Sequence, residues 1–145
     1  GVGYLENEKY TRFDRFDPAV DNGFTMAMTE DEAGAMWFAT EKQGLYRFDG
    51  EKLTNFTTAD GLPNNETAAL LKTKDRLWIG TKSGLAFYQN EKIFRFDEKG
   101  FDRDHIRSIY EDADGTIWIG TYDAGLIRFK NGEFRRISQK DGMFN

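Results

Sequence analysis

The chain has 145 residues, of which 31% are charged, 39% hydrophobic and 15% aromatic, with 15 Gly, 2 Pro and no Cys. This is the profile of a turn-rich globular domain. A formal net charge of -5 argues against a nucleic-acid partner, because phosphate recognition needs a basic surface. The lack of Cys excludes disulfides and thiolate metal sites, and with no apolar run near ~18 residues this segment is expected to make no membrane contact.

In chain order, residues 1–20 carry Gly1-Val2 and then Tyr10 with Phe13. Residues 21–59 carry Met36-Trp37-Phe38-Ala39-Thr40, then Gly44-Leu45, Tyr46 with Phe48, and Leu53 with Phe56. Residues 60–98 carry Leu77-Trp78-Ile79-Gly80-Thr81, Gly84-Leu85, Phe87 with Tyr88, and Ile93 with Phe94 and Phe96. Residues 99–139 carry Ile117-Trp118-Ile119-Gly120-Thr121, Gly125-Leu126, Ile127 with Phe129, and Phe134 with Ile137. The three Trp residues stand 41 and then 40 positions apart. Gly1-Val2 takes the Gly-Leu place of the repeat, and Tyr10 with Phe13 its last segment.

Each period holds four short apolar segments punctuated by Gly, Asp and Asn, too short for helices and rich in β-branched and aromatic residues. Asp49-Gly50, Asp114-Gly115 and Asn131-Gly132 are tight-turn pairs. Four antiparallel strands every ~40 residues predict an all-β fold of β-propeller blades. The chain should supply about 3.5 four-stranded blades of a larger ring: the end of one blade at 1–20, blades at 21–59, 60–98 and 99–139, and the start of a further inter-blade loop at 140–145. An open arc would leave aromatic faces in water. The rest of the ring is therefore expected from the remaining blades of the same protein or from a second copy. The first is favoured, because two such arcs would leave each seam short of about two strands.

The run Asp60-Gly61-Leu62-Pro63-Asn64-Asn65, followed by Leu77-Trp78-Ile79-Gly80-Thr81 and Gly84-Leu85, resembles the two-component regulator propeller repeat. The copy from Ile106 through Asp112-Ala113-Asp114-Gly115-Thr116-Ile117-Trp118-Ile119-Gly120-Thr121 is still closer to it. Ala39 departs from the Gly of the other copies, the loop after Thr121 is one residue longer, and the turn at 72–76 is one shorter. The resemblance implies a large, often seven-bladed, periplasmic sensor propeller in a membrane-anchored bacterial protein, ahead of a histidine kinase or another output domain. The propeller segment itself is then not an enzyme, although the whole protein can carry a kinase or cyclase.

Candidate site residues follow from the loops. In a blade, the inter-blade loops and the turns between second and third strands share one face, and binding residues concentrate on loops held by a rigid scaffold. The inter-blade loops are 57–66, 97–105 and 139–145, and the second set is 41–43, 82–83 and 122–124. Aligned positions differ between copies, Asn64-Asn65 against Arg103-Asp104 and Lys82-Ser83 against Tyr122-Asp123. The candidates for ligand binding are Asn64, Asn65, Lys82, Arg103, Asp104, His105, Tyr122 and Asp123, each of which also has a plain reading as solvated loop.

His105 is the single His and reads as a channel-facing or merely rim residue. A metal site would need more His, Cys or carboxylate ligands than the chain brings together, and no cofactor motif is present. Asp112, Asp114 and Gly115 start like a calcium loop, but no ligating Glu follows at the required distance, so they read as a turn, as do Asp14, Asp17 and Asp21. The Trp triplet could stack sugars, yet its identical place in every copy favours inter-blade packing. Arg47-Phe48, Arg95-Phe96 and Arg128-Phe129 read as strands with one buried and one wet face. Three functions remain open: a sensor propeller binding a small molecule or oligosaccharide, a non-catalytic scaffold or dimerisation module, and a propeller lyase, which the single His disfavours.

Overall fold

The computed structural model describes residues 3–12, 24–96 and 103–137. Segments 97–102 and 138–145, together with Asp14, Asp17 and Asp21, lie outside the described residues. The chain begins with a hairpin of β1 (Gly3–Glu6) and β2 (Lys9–Arg12). The first four-stranded sheet contains β3 (Thr25–Glu30), β4 (Met36–Thr40), β5 (Leu45–Phe48) and β6 (Leu53–Phe56). The second contains β7 (Thr67–Lys72), β8 (Leu77–Thr81), β9 (Gly84–Gln89) and β10 (Lys92–Arg95). The third contains β11 (Ile106–Glu111), β12 (Ile117–Thr121), β13 (Leu126–Lys130) and β14 (Glu133–Ile137). Each sheet is an antiparallel meander in chain order. β7 lies beside β3 on one side and β11 on the other, so the first strands gather inside and the sheets fan outward. Among the described residues, the three four-stranded sheets are propeller blades, and β1 with β2 forms a separate two-stranded hairpin.

Turn chemistry sets the meander locally. Gly50, Gly115 and Gly132 have φ of 101, 85 and 78°, as the three turn pairs predicted. The turn between β9 and β10 reaches the same geometry without glycine, with Asn90 and Glu91 at φ 52 and 63°, and Asn7-Glu8 does likewise in the first hairpin, at 49 and 64°. Asn tolerates this region through its short polar side chain. Gly44 is required for a second reason. Its φ is 77°, and a Cβ there would lie 2.2 Å from the Phe56 carbonyl oxygen.

Packing explains why the Trp strands read as almost continuous apolar runs. Sheets covered on both faces lose the alternation of a half-exposed strand. Trp37, Ala39 and Leu45 face onward against Leu62 of the inter-blade loop and Leu77, Ile79 and Ala86 of the second sheet. Trp78 and Leu85 repeat this against Ile106, Ile117, Ile119 and Ile127 of the third. Phe38, Tyr46 and Phe48 face backward, with Tyr4 of the hairpin packed on them. Trp is thus a seam residue, as its repetition suggested.

The pairing register corrects one alignment. Tyr46, Ala86 and Ile127 stand opposite Phe38, Ile79 and Ile119, so Ala86 and Tyr88, rather than Phe87 and Tyr88, occupy the apolar pair of the second copy. Phe87 lies opposite Trp78, in the place that Arg47 and Arg128 hold opposite Trp37 and Trp118.

The Arg–Phe pairs also divide. Arg95 is exposed, but Arg47 is not on a wet face. It is half-buried, 3.1 Å from the Asp31 carboxylate and 5.7 Å from the Trp37 ring centre.

Each Trp indole N–H is held from the turn between the first two strands of its sheet. It donates to Asp31 at 2.9 Å, to the Thr73 hydroxyl at 3.2 Å, and to Asp112 at 2.8 Å. The other Asp112 oxygen accepts the N–H groups of Asp114 and Thr116, both at 3.1 Å, so Asp112 is a turn residue. Burial by itself would raise the Asp31 pKa, but the hydrogen bonds from Trp37, Ala35 and Arg47 outweigh it and hold the carboxyl below its ordinary value.

Candidate functional site

The two loop sets lie on one face because backbone hydrogen bonds stitch them together. The Gly44 N–H donates to the Asn65 carbonyl at 2.8 Å and the Gly84 N–H to the Asp104 carbonyl at 2.9 Å, joining neighbouring sheets. Within sheets, Glu41, Lys82 and Tyr122 each donate an N–H at 2.9 Å, to the carbonyls of Phe24, Glu66 and His105. Asn65 and Asp104 are therefore equivalent, as are Lys82 and Tyr122, and the candidate positions fall on one frame.

The side chains on that frame divide into braces and free groups. Asn64 donates to the Ser83 hydroxyl at 3.0 Å and accepts the Glu66 N–H at 2.8 Å. Asn65 accepts the Thr58 N–H at 2.9 Å, at the start of a 3-10 turn over Thr58–Asp60 whose capping box pairs Thr57 with Asp60. Leu62 of the same run is buried in the first seam. The Asp60–Asn65 run thus serves mainly to fix the inter-blade loop. Asp104 is only 8% exposed, and its carboxylate accepts from Arg136 at 2.6 Å while the same guanidinium donates to the Ala124 carbonyl.

The remaining candidates face solvent. Lys82 pairs with Glu66 at 3.0 Å, both half-exposed. Arg103, Tyr122 and Asp123 are exposed and His105 is half-buried. The His105 and Tyr122 rings lie 5.7 Å apart, and the Arg107 guanidinium stands 5.4 Å from the Tyr122 ring centre.

Arg107 and Glu66 were not among the sequence candidates. Arg107 sits where the register of β11 against β12 shifts between Ile106 and Ser108. The same shift occurs at Met26 and Ala68 in β3 and β7. A bulge re-aims the side chain it carries, and the sequence shows the charge at one of three equivalent positions but not the bulge that carries it.

Electrostatics at His105 follow from this grouping. Partial burial lowers its pKa first, then repulsion from Arg107 and Lys82, against weaker opposing effects of Glu66 and Asp123. The imidazole is therefore expected to titrate below its ordinary 6.5, and Arg107→Gln to move it upward in an NMR titration. An unchanged value would mean that Arg107 does not act on it. Since the folded-state pKa lies below the unfolded one, folding is most favourable above the unfolded value and weakens as pH falls toward the folded value.

Residues 100–123 match the family described as two component regulator propeller. Histidine kinase P4 of Formosa agariphila is 29% identical over 156 aligned residues, covering 92% of this chain and 11% of the kinase. The chain therefore spans a small part of that relative. The extracellular domain of the hybrid two component system BT3049 from B. thetaiotaomicron superposes with a TM-score of 0.65 at 23% identity, over 88% of this chain and 19% of that one. A streptogramin B lyase gives 0.66 at 11% identity, over 96% and 48%. Virginiamycin B lyase from Staphylococcus aureus gives 0.60 at 17%, over 79% and 41%. At such identities the superpositions speak to fold alone. The matched repeat begins the third sheet, and the second sheet carries the same Trp-Ile-Gly-Thr and Gly-Leu text, so the likeness to the two component regulator propeller repeat extends beyond the matched residues.

Proposed function

We propose that these blades belong to the extracytoplasmic sensor propeller of a two-component-type signalling protein, in which the loop face binds a small molecule or oligosaccharide. The observation that carries this reading is the contrast between constant backbone and varied side chains. The same 2.9 Å hydrogen bond presents Phe24 with Glu41, Glu66 with Lys82, and His105 with Tyr122. A scaffold role alone gives no reason for three identical frames to display three different chemistries. A specific ligand does, because it touches each frame with a different part of itself.

In this reading the propeller is non-catalytic, and further blades of the same protein close the ring. A stiff propeller signals by changing how it packs on its neighbours, and a ligand shifts that balance only by binding one arrangement better. The lyase likeness is one of fold and brings no chemistry to these residues. The coding sequence around residues 1 and 145 tests the assignment. Further repeats of ~40 residues, a secretion signal, a membrane helix and a kinase or other output domain are expected. A reading frame closing near both ends without them overturns it.

A further inference from the structure

Groups that recur in every sheet belong to the scaffold, so a chemical feature present once stands out. Arg107 is such a feature, a cation at a bulge whose equivalents are Met26 and Ala68. The Arg47 guanidinium is paired with Asp31 and that of Arg136 with Asp104. Arg107 has no hydrogen-bond or ion-pair partner among the described residues and rests over the Tyr122 ring. That ring is 69% exposed at a loop tip, flanked by His105 on its other contact at 5.7 Å. Lys82 adds a second cation near His105, while the nearby Glu66 is already engaged by that Lys at 3.0 Å.

We propose that Arg107, Tyr122 and His105 form a subsite for a carboxylate carried on a ring-shaped ligand. The proposal rests on the loop-face sensor reading and specifies its ligand chemistry. A planar guanidinium binds a carboxylate through two parallel N–H donors, a geometry Lys cannot reproduce. The Tyr122 ring, 69% exposed, offers apolar surface to the ring that bears the carboxylate, with the Arg107 guanidinium already 5.4 Å from its centre. His105, its ring 5.7 Å from that of Tyr122, adds an imidazole capable of hydrogen bonding beside the same ring. Asp123, a carboxylate with no ion-pair partner among the described residues that acts on His105, opposes an anion and sets a limit on affinity.

Two sources of this chemistry are separable. Calorimetric titration of the intact protein with digalacturonate, with benzoate and with neutral digalactose is the test. One of the two carboxylates is expected to bind. Arg107→Ala should weaken it at least about tenfold and Arg107→Lys should restore it only in part, whereas Asp123→Asn should tighten it. Circular dichroism checks that the exposed substitutions leave the fold intact. Binding of digalacturonate alone assigns a sugar acid, and binding of benzoate alone an aromatic acid. Undiminished binding in Arg107→Ala overturns the subsite. Digalactose bound as well as the carboxylates also overturns it but leaves the sensor reading standing. Failure of all three probes brings the subsite down, and a coding sequence without sensor domains would separately bring down the sensor reading.

Discussion

Gly80→Ala is expected to destabilise the chain by about 1–3 kcal/mol, and adding Ile106→Thr to recover most of that loss. A Cβ on Gly80 would lie 2.5 Å from Ile106 Cγ2, 3.0 Å from Ile106 Cβ and 3.1 Å from Ala69 Cβ. Ile106 is 1% exposed, so it has no solvent into which to retreat, and a packed interior resists an added methyl. The preceding seam shows the alternative solution. There Ala39 takes the place of Gly80 and Thr67 that of Ile106. The Thr67 hydroxyl accepts the Thr40 N–H at 2.8 Å and faces the Gly44 and Thr40 carbonyls at 2.9 and 3.1 Å. The double substitution would carry this arrangement to the second seam, where the Thr81 and Gly84 backbones offer the equivalent groups. A double-mutant cycle by denaturant unfolding measures the coupling. Strictly additive losses would show that the two positions do not compensate, and an unaffected Gly80→Ala would refute the close contact.

Trp37→Ala should cost still more, about 3–5 kcal/mol. Trp37 has no exposed surface. Its ring stacks on Phe56 at 5.4 Å and meets Tyr88 of the next sheet at 4.5 Å, so truncation opens a cavity across a seam rather than within one sheet. It also removes the indole N–H from Asp31, leaving Arg47 and backbone donors to hold that carboxylate. Trp37→Phe separates the two effects. It keeps a ring in the seam and loses the N–H, so it should be the milder change, and the Asp31 pKa should rise with it. Trp118→Ala, by contrast, removes a half-buried ring and should cost less in this chain. Equal losses at Trp37 and Trp118 in guanidinium unfolding would contradict the seam assignment.

Much of the architecture is legible in the sequence. The 40-residue period, the Gly-Leu places and the turn pairs are local facts, and each turn is dictated by a φ that few residues adopt. The Trp positions could be assigned to seams because a side chain needed at every interface recurs at every repeat. The loop face could also be located, since the order of strands in a blade determines which turns share an end. Within it, comparison of the copies singled out Tyr122 against Lys82, and His105 stood out as the single His.

The roles of individual side chains were another matter. Asn64, Asn65 and Asp104 looked like ligand contacts because they vary in polarity between copies, yet their side chains brace Ser83, Thr58 and Arg136. Phe87 looked like half of an apolar pair, but strand register put it opposite Trp78 on the other face, because a shift of one residue exchanges the faces of a strand. Arg107 went unnoticed because nothing in its immediate sequence shows that a bulge turns it toward Tyr122. The sequence by itself determined the repeat, the strand order and the seam residues, all of which follow from local conformation and two-sided burial. Only the tertiary structure decided which loop groups are braced, that Arg107 has no hydrogen-bond or ion-pair partner among the described residues, and why Ala39 is tolerated where Gly80 is needed, because those outcomes depend on contacts between sheets about 40 residues apart in the chain.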